Sequence, residues 1–477
     1  MADRIPKIVL VAGVLMGTVL LGYLAYFRPG YFTSQSNLGA LVFLEMMAVA
    51  VCMYRRVFFP VVIVTFLLAG VNLPVGSVWT ATRWGVLAAG AVAGTLIMLL
   101  RDRRYNFGLF HMLALFAVLA ALVSAAVSRY TNLSLLKVLS LFLLFAYTST
   151  GARLAVKGRE NLFFSGLVKG VEIFVGVMAV LYLAGIEAMG NPNSLGAVMA
   201  VVASPILLWG VIVSETRGQY RRRLALFAVS FYLIFASHSR ASMAAAFVAC
   251  GLLCLALKKY RLLIQGAGIM VILIATLAIL QPQRFSRYIS SFTSTVVYKG
   301  KDPKEGLLFS RKSPWQDAMD SIDKHFWFGT GFGTADNGRD ATEDLGTFAS
   351  SMLTSAERGS SYLAIVTWVG MAGILPFLLL VCVLLKKILE ALAWMRRTAN
   401  PLHPVVPLAA VLLAGLIHAG LEDWLFAPGY YLCVFFWSLA FIFVDQVQLL
   451  TIADARRAYY WNAAPLRQGF HNVAPSR

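Results

Sequence analysis

Residues 109–127 read LFHMLALFAVLAALVSAAV, a run in which His111 and Ser124 are the polar side chains. A run of this length can cross a bilayer as a helix, because about 20 residues at 1.5 Å each span a hydrocarbon core of roughly 30 Å. Similar runs recur along the 477 residues, of which 59% are hydrophobic and 13% charged. A soluble core cannot bury that much apolar surface. The sequence therefore predicts an all-α polytopic membrane protein.

We predict twelve to fourteen transmembrane helices, because several of the apolar runs are shorter than a perpendicular helix needs. The first run, 8–27, is interpreted as a retained span, since it is long and lacks the small-residue cleavage pattern of a signal peptide. The runs are 8–27, 39–53, 57–73, 84–100, 109–127, 133–149, 162–185, 193–214, 224–237, 241–257, 262–280, 359–385, 405–420 and 427–449.

The basic residues alternate between successive connections. Clusters such as 101–104 and 221–223 fall in connections that we predict to be cytoplasmic, whereas the outer connections hold single arginines such as Arg129. This pattern predicts cytoplasmic N- and C-termini. The excess of basic residues behind the net charge of +19 then fixes the orientation of the helices in the membrane and contacts anionic lipids. No nucleic-acid partner is predicted.

The predicted organisation has four parts. Transmembrane helices over 1–280 precede an extracytoplasmic loop over 281–358, and further transmembrane helices over 359–449 precede a cytoplasmic tail over 450–477. The loop is the one long polar interruption and holds ten basic and ten acidic residues. A membrane protein that keeps such a loop on one face is expected to do chemistry there.

Within the loop we predict an amphipathic helix capped by Ser313, with Pro314 in its first turn. Arg311 and Lys312 precede this cap, where backbone N–H groups and two cations would favour an anion. They could equally be solvated loop charges. The predicted apolar face consists of Trp315, Met319, Ile322 and Phe326.

No metal site or cofactor is predicted. The five cysteines fall inside apolar runs and the six histidines are scattered, without the spacing of a metal motif. Cys250 and Cys254 lie one helical turn apart, which suits core packing better than a metal pair. No disulfide framework is implied.

Two charge features stand inside or beside the apolar runs. Arg240, at an outer junction, needs a buried carboxylate, a phosphate ligand or a snorkelling route to the interface. Lys169 and Glu172, three positions apart in one run, are predicted to form an intramembrane charge pair.

Seven short motifs follow one another along the chain. In order they are Asn191-Pro-Asn193, Ser237-His-Ser-Arg240, Arg284-Phe-Ser286, Arg311-x-x-x-Trp315-x-x-Ala318, Gly329-x-Gly-x-Gly333, Gly359-Ser-Ser-Tyr-Leu363 with Gly370-x-x-Gly373, and His418-x-x-x-Glu422. Each is loose alone, but their order and topology over roughly residues 190–445 resemble the O-antigen ligase and Wzy-type polymerase superfamily of bacterial envelopes.

The resemblance implies a metal-independent, inverting glycosyltransferase with a GT-C-like helical fold in the bacterial inner membrane, with its active site on the periplasmic face. It implies a donor glycan on undecaprenyl pyrophosphate. The acceptor would be a sugar hydroxyl, either on another lipid-linked unit or on lipid A core. A chain-length regulator protein would be a further partner of a polymerase.

The same resemblance assigns residues. Arg240 and Arg311 match the superfamily's two phosphate-binding arginines, with Arg284 a weaker third, and guanidinium suits bidentate phosphate contact. Ligases of the superfamily place a histidine just before the Ser-Ser-Tyr-Leu helix start, where this chain has Glu357. Glu357 is therefore the predicted base, although it could instead pair with Arg358 or a lysine. The other predicted substrate-binding residues are His238, Asn193, Trp315, Ser360, Ser361, Tyr362, His418 and Glu422.

The missing histidine favours a polysaccharide polymerase over an O-antigen ligase. A competing class is a lipid-linked glycan transporter or flippase, for which Lys169 and Glu172 would be the charges near the membrane midplane. The charged loop and its arginines favour the enzyme.

Overall fold

The computed structural model describes residues 35–71, 76–101, 107–283, 286, 290, 309–334 and 358–462. Within these ranges the protein is helical and has no β-strand. The helices are α1 (Gln35–Ala69), α2 (Gly76–Arg101), α3 (Leu109–Ala126), α4 (Thr131–Val156), α5 (Glu160–Leu183), α6 (Pro192–Ile212), α7 (Arg217–Ala236), α8 (Arg240–Ala256), α9 (Tyr260–Leu280), α10 (Phe309–Lys324), α11 (Ser361–Thr398), α12 (Val405–Ala419) and α13 (Tyr431–Asn462).

The prediction of an all-α polytopic membrane protein is confirmed. In the described part of the chain, seven helices are long and apolar enough to cross a membrane. They lie in α2, α3, α4, α5, α6, α11 and α13. Three shorter apolar helices, Phe58–Ala69, Arg240–Ala256 and Val405–Ala419, join them. The predicted first span, 8–27, lies outside the described residues.

Helix α1 reverses direction within its length. A side-chain carbon at Gly39 would lie 3.7 Å from the Ala81 carbonyl oxygen, while the ring of Phe66 lies 5.9 Å from that of Trp84. In a straight helix, Gly39 and Phe66 would be separated by about 40 Å, at 1.5 Å per residue. Both contact the same turn of α2, so α1 doubles back and supplies two passes along α2. The predicted runs 39–53 and 57–73 fall on these two passes.

Connections between helices meet at one end of the bundle, which we call the site end. There Arg83 Nη1 donates to the Gly429 carbonyl over 2.9 Å, and Ser128 Oγ donates to the Thr330 carbonyl over 2.8 Å. Arg83 is buried, and its guanidinium lies 5.7 Å from the ring centroid of Phe66. The first hydrogen bond ties α2 to the segment before α13, and the second ties the end of α3 to the connection that follows α10.

The opposite end, which we call the basic end, is held by ion pairs. Arg153 makes a bidentate pair with Asp445 at 2.6 and 2.8 Å, which joins α4 to α13. Glu172 accepts from Arg222 and Arg223 at 2.8 and 2.9 Å, which joins α5 to α7.

The predicted pairing of Glu172 with Lys169 is therefore wrong. Glu172 is nearly buried against α7, with a side chain 9% exposed, and two guanidinium groups of α7 satisfy it. Lys169 lies on the exposed side of α5. Residues three positions apart lie only approximately on the same face of a helix. Here α7 packs against the side of α5 that carries Glu172 and leaves Lys169 on the exposed side.

Helix α11 is broken at Gly370, and the connection after α10 repairs the break. Gly370 has a φ of +65° and a ψ of −176°, which interrupts the helical hydrogen bonds. In apolar surroundings the freed backbone groups need new partners. The amides of Met371 and Ala372 donate to the carbonyls of Phe326 and Trp327 over 2.8 and 3.0 Å.

The connection after α10 also donates hydrogen bonds to the carbonyl groups of α11 before the break. The amides of Thr330 and Gly331 donate to the Thr367 and Trp368 carbonyls over 2.9 and 3.1 Å. Ser124 Oγ gives the Trp368 carbonyl a second donor at 2.6 Å. The connection follows this path because it carries glycines at positive φ, at Gly329, Gly331 and Gly333. We call residues 326–334 the glycine connection.

We predict that Gly370→Ala destabilises the protein by roughly 1–3 kcal/mol, because alanine is strained at positive φ and its Cβ would meet the Trp327 backbone. Thermal unfolding in detergent, followed by tryptophan fluorescence, measures the change. Gly176→Ala is the matched control, since a side-chain carbon at this glycine of α5 meets nothing within 4 Å. Equal melting temperatures for the two variants would contradict the role of Gly370.

Candidate active site

The N-terminus of α8 positions the first arginine of the site. Ser239 caps this helix, with its hydroxyl accepting from the Ser242 amide over 3.4 Å. His238, which precedes the cap, is exposed and has a φ of +53°, so it makes the turn from α7. Arg240 therefore lies in the first turn of α8, where the helix dipole is already positive. A cation in that position favours the binding of an anion.

Helix α10 brings a second guanidinium to the same place. Arg311 lies in its first turn and forms an ion pair with Glu422, which follows α12. The two side chains are 14% and 22% exposed, so the pair is partly sheltered from water but reachable. The positive charges of Arg311 and Arg240 repel each other across the site. Two cations and one carboxylate thus share this region.

Gly359 gives the Arg311 side chain its space. The residue has a φ of +66°, and a side-chain carbon there would lie 3.1 Å from Nη1 of Arg311. Trp315, one turn further along α10, donates from Nε1 to the Gly359 carbonyl over 3.4 Å. The motif residues Arg311, Trp315 and Gly359 are thus in contact, which explains their joint occurrence in the sequence.

The start of α11 fixes the segment that carries Glu422. The Ser361 amide and hydroxyl both donate to the Glu422 carbonyl, over 3.0 and 2.6 Å. The same hydroxyl accepts from the Leu425 amide over 3.0 Å. The Arg358 amide donates to Asp423 Oδ2 over 2.8 Å, and Tyr362 Oη donates to the Leu416 carbonyl over 2.9 Å. The backbone at Glu422 is therefore held from several sides.

His418 lies near the arginines and is part of a buried chain of hydrogen bonds. Trp424 Nε1 donates to its Nδ1 over 2.9 Å, and because an indole nitrogen can only donate, Nδ1 carries no proton. Its Nε2 therefore donates to Ser242 Oγ over 3.2 Å, and Ser242 donates to Ser239 Oγ over 2.9 Å. His418 is 2% exposed. It connects α12 to the cap of α8 as a neutral donor.

The remaining predicted site residues are distributed as follows. Asn193 lies in the first turn of α6, partly buried, with its amide donating to Asn191 Oδ1 over 2.8 Å. This turn is beside α8, because a side chain on Gly196 would contact the hydroxyls of Ser237 and Ser242. Ser360 is buried at the N-cap of α11. Arg284 and Glu357 lie outside the described residues, so their roles stay predictions.

The predicted start of the loop helix is wrong, and its predicted apolar face is right only in part, since Trp315 and Ile322 are partly buried but Met319 and Phe326 are exposed. Helix α10 extends over Phe309–Lys324, so Ser313 and Pro314 lie within it and do not begin it. Met319 is 51% exposed, whereas Ala318 and Ser321 are buried. The side of α10 that packs against the bundle is therefore narrower than the predicted apolar face and consists of smaller side chains. Phe326 lies beyond the helix and is 44% exposed.

Tyr430 is a site-end residue that the sequence did not single out. Its hydroxyl lies 3.0 Å from that of Tyr431. Burial raises the pKa of Tyr430, and the nearby carboxylates of Glu422 and Asp423 raise it further. Its hydroxyl is therefore protonated at neutral pH and can act as a hydrogen-bond donor. Two tyrosines at the start of an apolar run do not indicate, from the sequence alone, that one of them lies at the site end.

The geometry can bind a diphosphate-like anion. Arginine presents paired N–H donors that match phosphate oxygens, and two such groups lie here beside a helix N-terminus. Glu422 pairs with Arg311, so an anion bound here would compete with this carboxylate for the guanidinium group. Among the described residues, no three His, Cys, Asp or Glu side chains gather into a potential metal site. That the reaction needs no metal stays a prediction.

Residues 225–378 match the family model Wzy_C, described as O-antigen ligase. The segment includes Arg240, Arg311 and the Gly370 break, while Glu422 and His418 follow it. The resemblance to the O-antigen ligase and Wzy-type superfamily is thus confirmed. The match supports a membrane glycosyltransferase activity of the ligase or polymerase type. A comparison with curated proteins found no match.

We predict that Ser361→Ala destabilises the site end by about 1–3 kcal/mol, because it leaves the buried Leu425 amide without an acceptor and removes a donor to Glu422. Thermal unfolding of the purified protein tests this. Ser140→Ala is the control, since the hydroxyl of this partly buried residue makes an exposed hydrogen bond within its own helix, to the Leu136 carbonyl. A loss of activity with unchanged stability would instead indicate that Ser361 contacts substrate.

Proposed function

From the O-antigen ligase domain at 225–378, we propose that this protein transfers a glycan from undecaprenyl pyrophosphate to a sugar hydroxyl, and that it polymerises polysaccharide repeat units. The observation that supports this most is the approach of Arg240 and Arg311 at one end of the bundle. A diphosphate leaving group gathers negative charge as its bond to the sugar breaks. Two fixed guanidinium groups stabilise that charge where it develops.

In the proposed reaction the acceptor oxygen attacks the anomeric carbon from the face opposite the diphosphate. The new glycosidic C–O bond forms while the C–O bond to the diphosphate breaks, and the configuration inverts. The acceptor proton passes to a carboxylate, for which Glu357 is the proposed base. The lipid diphosphate departs with the bonding electron pair, and Arg240 and Arg311 bind it.

Glu422 has a different part in this scheme. It pairs with Arg311 and so holds the guanidinium beside Gly359. A dianionic ligand competes with this single carboxylate for the same donors. We propose that Glu422 keeps Arg311 ordered between turnovers and then shares it with the donor diphosphate.

We place the protein in the bacterial inner membrane, with both termini cytoplasmic and the site end periplasmic. The basic end supports this orientation, because cytoplasmic connections carry the excess of lysine and arginine. Basic residues at that end include Arg153, Arg222, Arg223, Arg396 and Arg397. Membrane lipids, the lipid-linked glycan and a chain-length regulator are the proposed partners. No cofactor is proposed.

Two alternatives remain to be tested against this function. An O-antigen ligase would use lipid A core as acceptor, and the replacement of the ligase histidine by Glu357 is the reason for preferring a polymerase. A flippase would move the intact lipid-linked glycan. The sequence feature that supported a flippase was a pair of Lys169 with Glu172. Glu172 pairs with Arg222 and Arg223 instead.

We predict that Arg240→Ala and Arg311→Ala each lower the turnover of lipid-linked repeat units by roughly 10²-fold or more, because each removes a donor to the leaving group. Release of undecaprenyl pyrophosphate by the purified variants measures this. Arg129→Ala is the control, an exposed arginine at the same end of the bundle. If both site variants kept the wild-type rate in correctly folded protein, the assignment of the arginines would be wrong.

The product distinguishes the three functions. Purified protein in vesicles, given lipid-linked repeat units alone, should release free lipid diphosphate and form longer lipid-linked glycans if it is a polymerase. Release only when lipid A core is added would identify a ligase. Passage of intact lipid-linked glycan across the vesicle without bond cleavage would support a flippase and contradict the proposal.

A further inference from the structure

An apolar groove of about 500 Å³ lies apart from the arginine site, between the second pass of α1 and helices α5, α6 and α13. We call it the lateral groove. Pro60, Val64 and Leu162 line it and are exposed, so it opens sideways from the bundle towards the surrounding lipid. Its volume is that of a small-molecule site and its walls are almost entirely apolar.

Two glycines of α5 form the floor of the opening. Gly166 and Gly170 line the lateral groove, are exposed, and would each point a side-chain carbon into open space, with nothing within 4 Å. They are four residues apart and so lie on one face of the helix. In lipid, packing contacts and not the hydrophobic effect drive association, so a concave apolar surface of this kind suits a flexible hydrocarbon chain.

The two ends of the lateral groove differ in charge. Arg159, at the basic end, is the charged residue among its lining. At the other end lies Tyr431, which is buried and whose hydroxyl is engaged with Tyr430 and the Ser194 carbonyl. A ligand with an anionic head and an apolar chain therefore fits in one orientation, with its head at Arg159.

Lys169 is the next basic residue of α5 after Arg159 and does not line the lateral groove. It is adjacent to Gly170 and lies on the exposed side of α5. Helical side chains lean towards the helix N-terminus, which for α5 is the end where Arg159 lies. Lys169 nevertheless lies ten residues beyond Arg159, about 15 Å along the helix at 1.5 Å per residue, so its ammonium group cannot reach a phosphate bound at Arg159.

We propose that the lateral groove binds one chain of an anionic membrane phospholipid, with its phosphate head group at Arg159. The chain of the lipid-linked donor would need the reverse orientation, because its diphosphate must reach Arg240 and Arg311 at the site end. The charge at the basic end favours the phospholipid. This site is independent of the proposed transferase reaction.

Native mass spectrometry of the delipidated, full-length protein tests the proposal, with phosphatidylglycerol or phosphatidylcholine added back. The wild type should retain phosphatidylglycerol in preference. Gly166→Leu and Gly170→Leu should each lose this retention, because leucine fills the open space, whereas Gly176→Leu on the same helix should keep it. Arg159→Gln should weaken retention about fivefold, the effect of one basic residue on an anionic lipid, whereas Lys169→Gln, outside the groove lining, should retain the lipid like the wild type.

Arg221→Gln is the control for charge, since Arg221 is exposed at the same end and does not line the groove. Equal retention by the leucine variants and the wild type would overturn the proposal, as would equal binding of the two phospholipids. Displacement of phosphatidylglycerol by a polyprenyl phosphate at an equal concentration would assign the groove to the donor instead. The assay involves no turnover, so its failure leaves the proposed function untouched.

Discussion

The exchange of backbone hydrogen bonds between the glycine connection and the broken helix α11 determines the geometry of the site end. A helix interrupted in apolar surroundings exposes amides and carbonyls that water cannot reach. Here the amides of Met371 and Ala372 and the carbonyls of Thr367 and Trp368 all find partners in residues 326–331. Because those partners directly follow α10, the repair also anchors α10 against the bundle.

Anchoring α10 has an electrostatic consequence at its other end. It brings Arg311 close to Arg240, which already lies at the positive end of α8. Two cations at a helix N-terminus repel each other, and the pairing of Glu422 with Arg311 offsets this repulsion. The contacts of Ser361 and Arg358 with residues 422–425 hold that carboxylate in place. A diphosphate would take over the same role with greater charge.

The fold class could be predicted because apolar runs of bilayer length have no soluble explanation, and the motif order indicated that Arg240, Arg311 and Glu422 share one end. What failed were features that depend on neighbouring helices. Glu172 lies only three positions from Lys169 in the sequence. Because α7 packs against α5, however, Glu172 pairs with Arg223. Ser313 has the chemistry of a cap, yet the helix extends past it to Phe309. The positive φ at Gly370 could not be read from an apolar run, because only the glycine connection makes it favourable.

The buried chain around His418 narrows the choice of proton acceptor in the proposed transfer. Histidine is the usual base near neutral pH, and His418 lies next to the arginines. However, its Nδ1 accepts from Trp424 and its Nε2 donates to Ser242, so neither nitrogen has a lone pair directed at substrate. A proton on Nδ1 would also remove the acceptor of the buried indole N–H. His418 is therefore not the proposed proton acceptor, and since Glu422 is engaged with Arg311, Glu357 stays the carboxylate proposed as base.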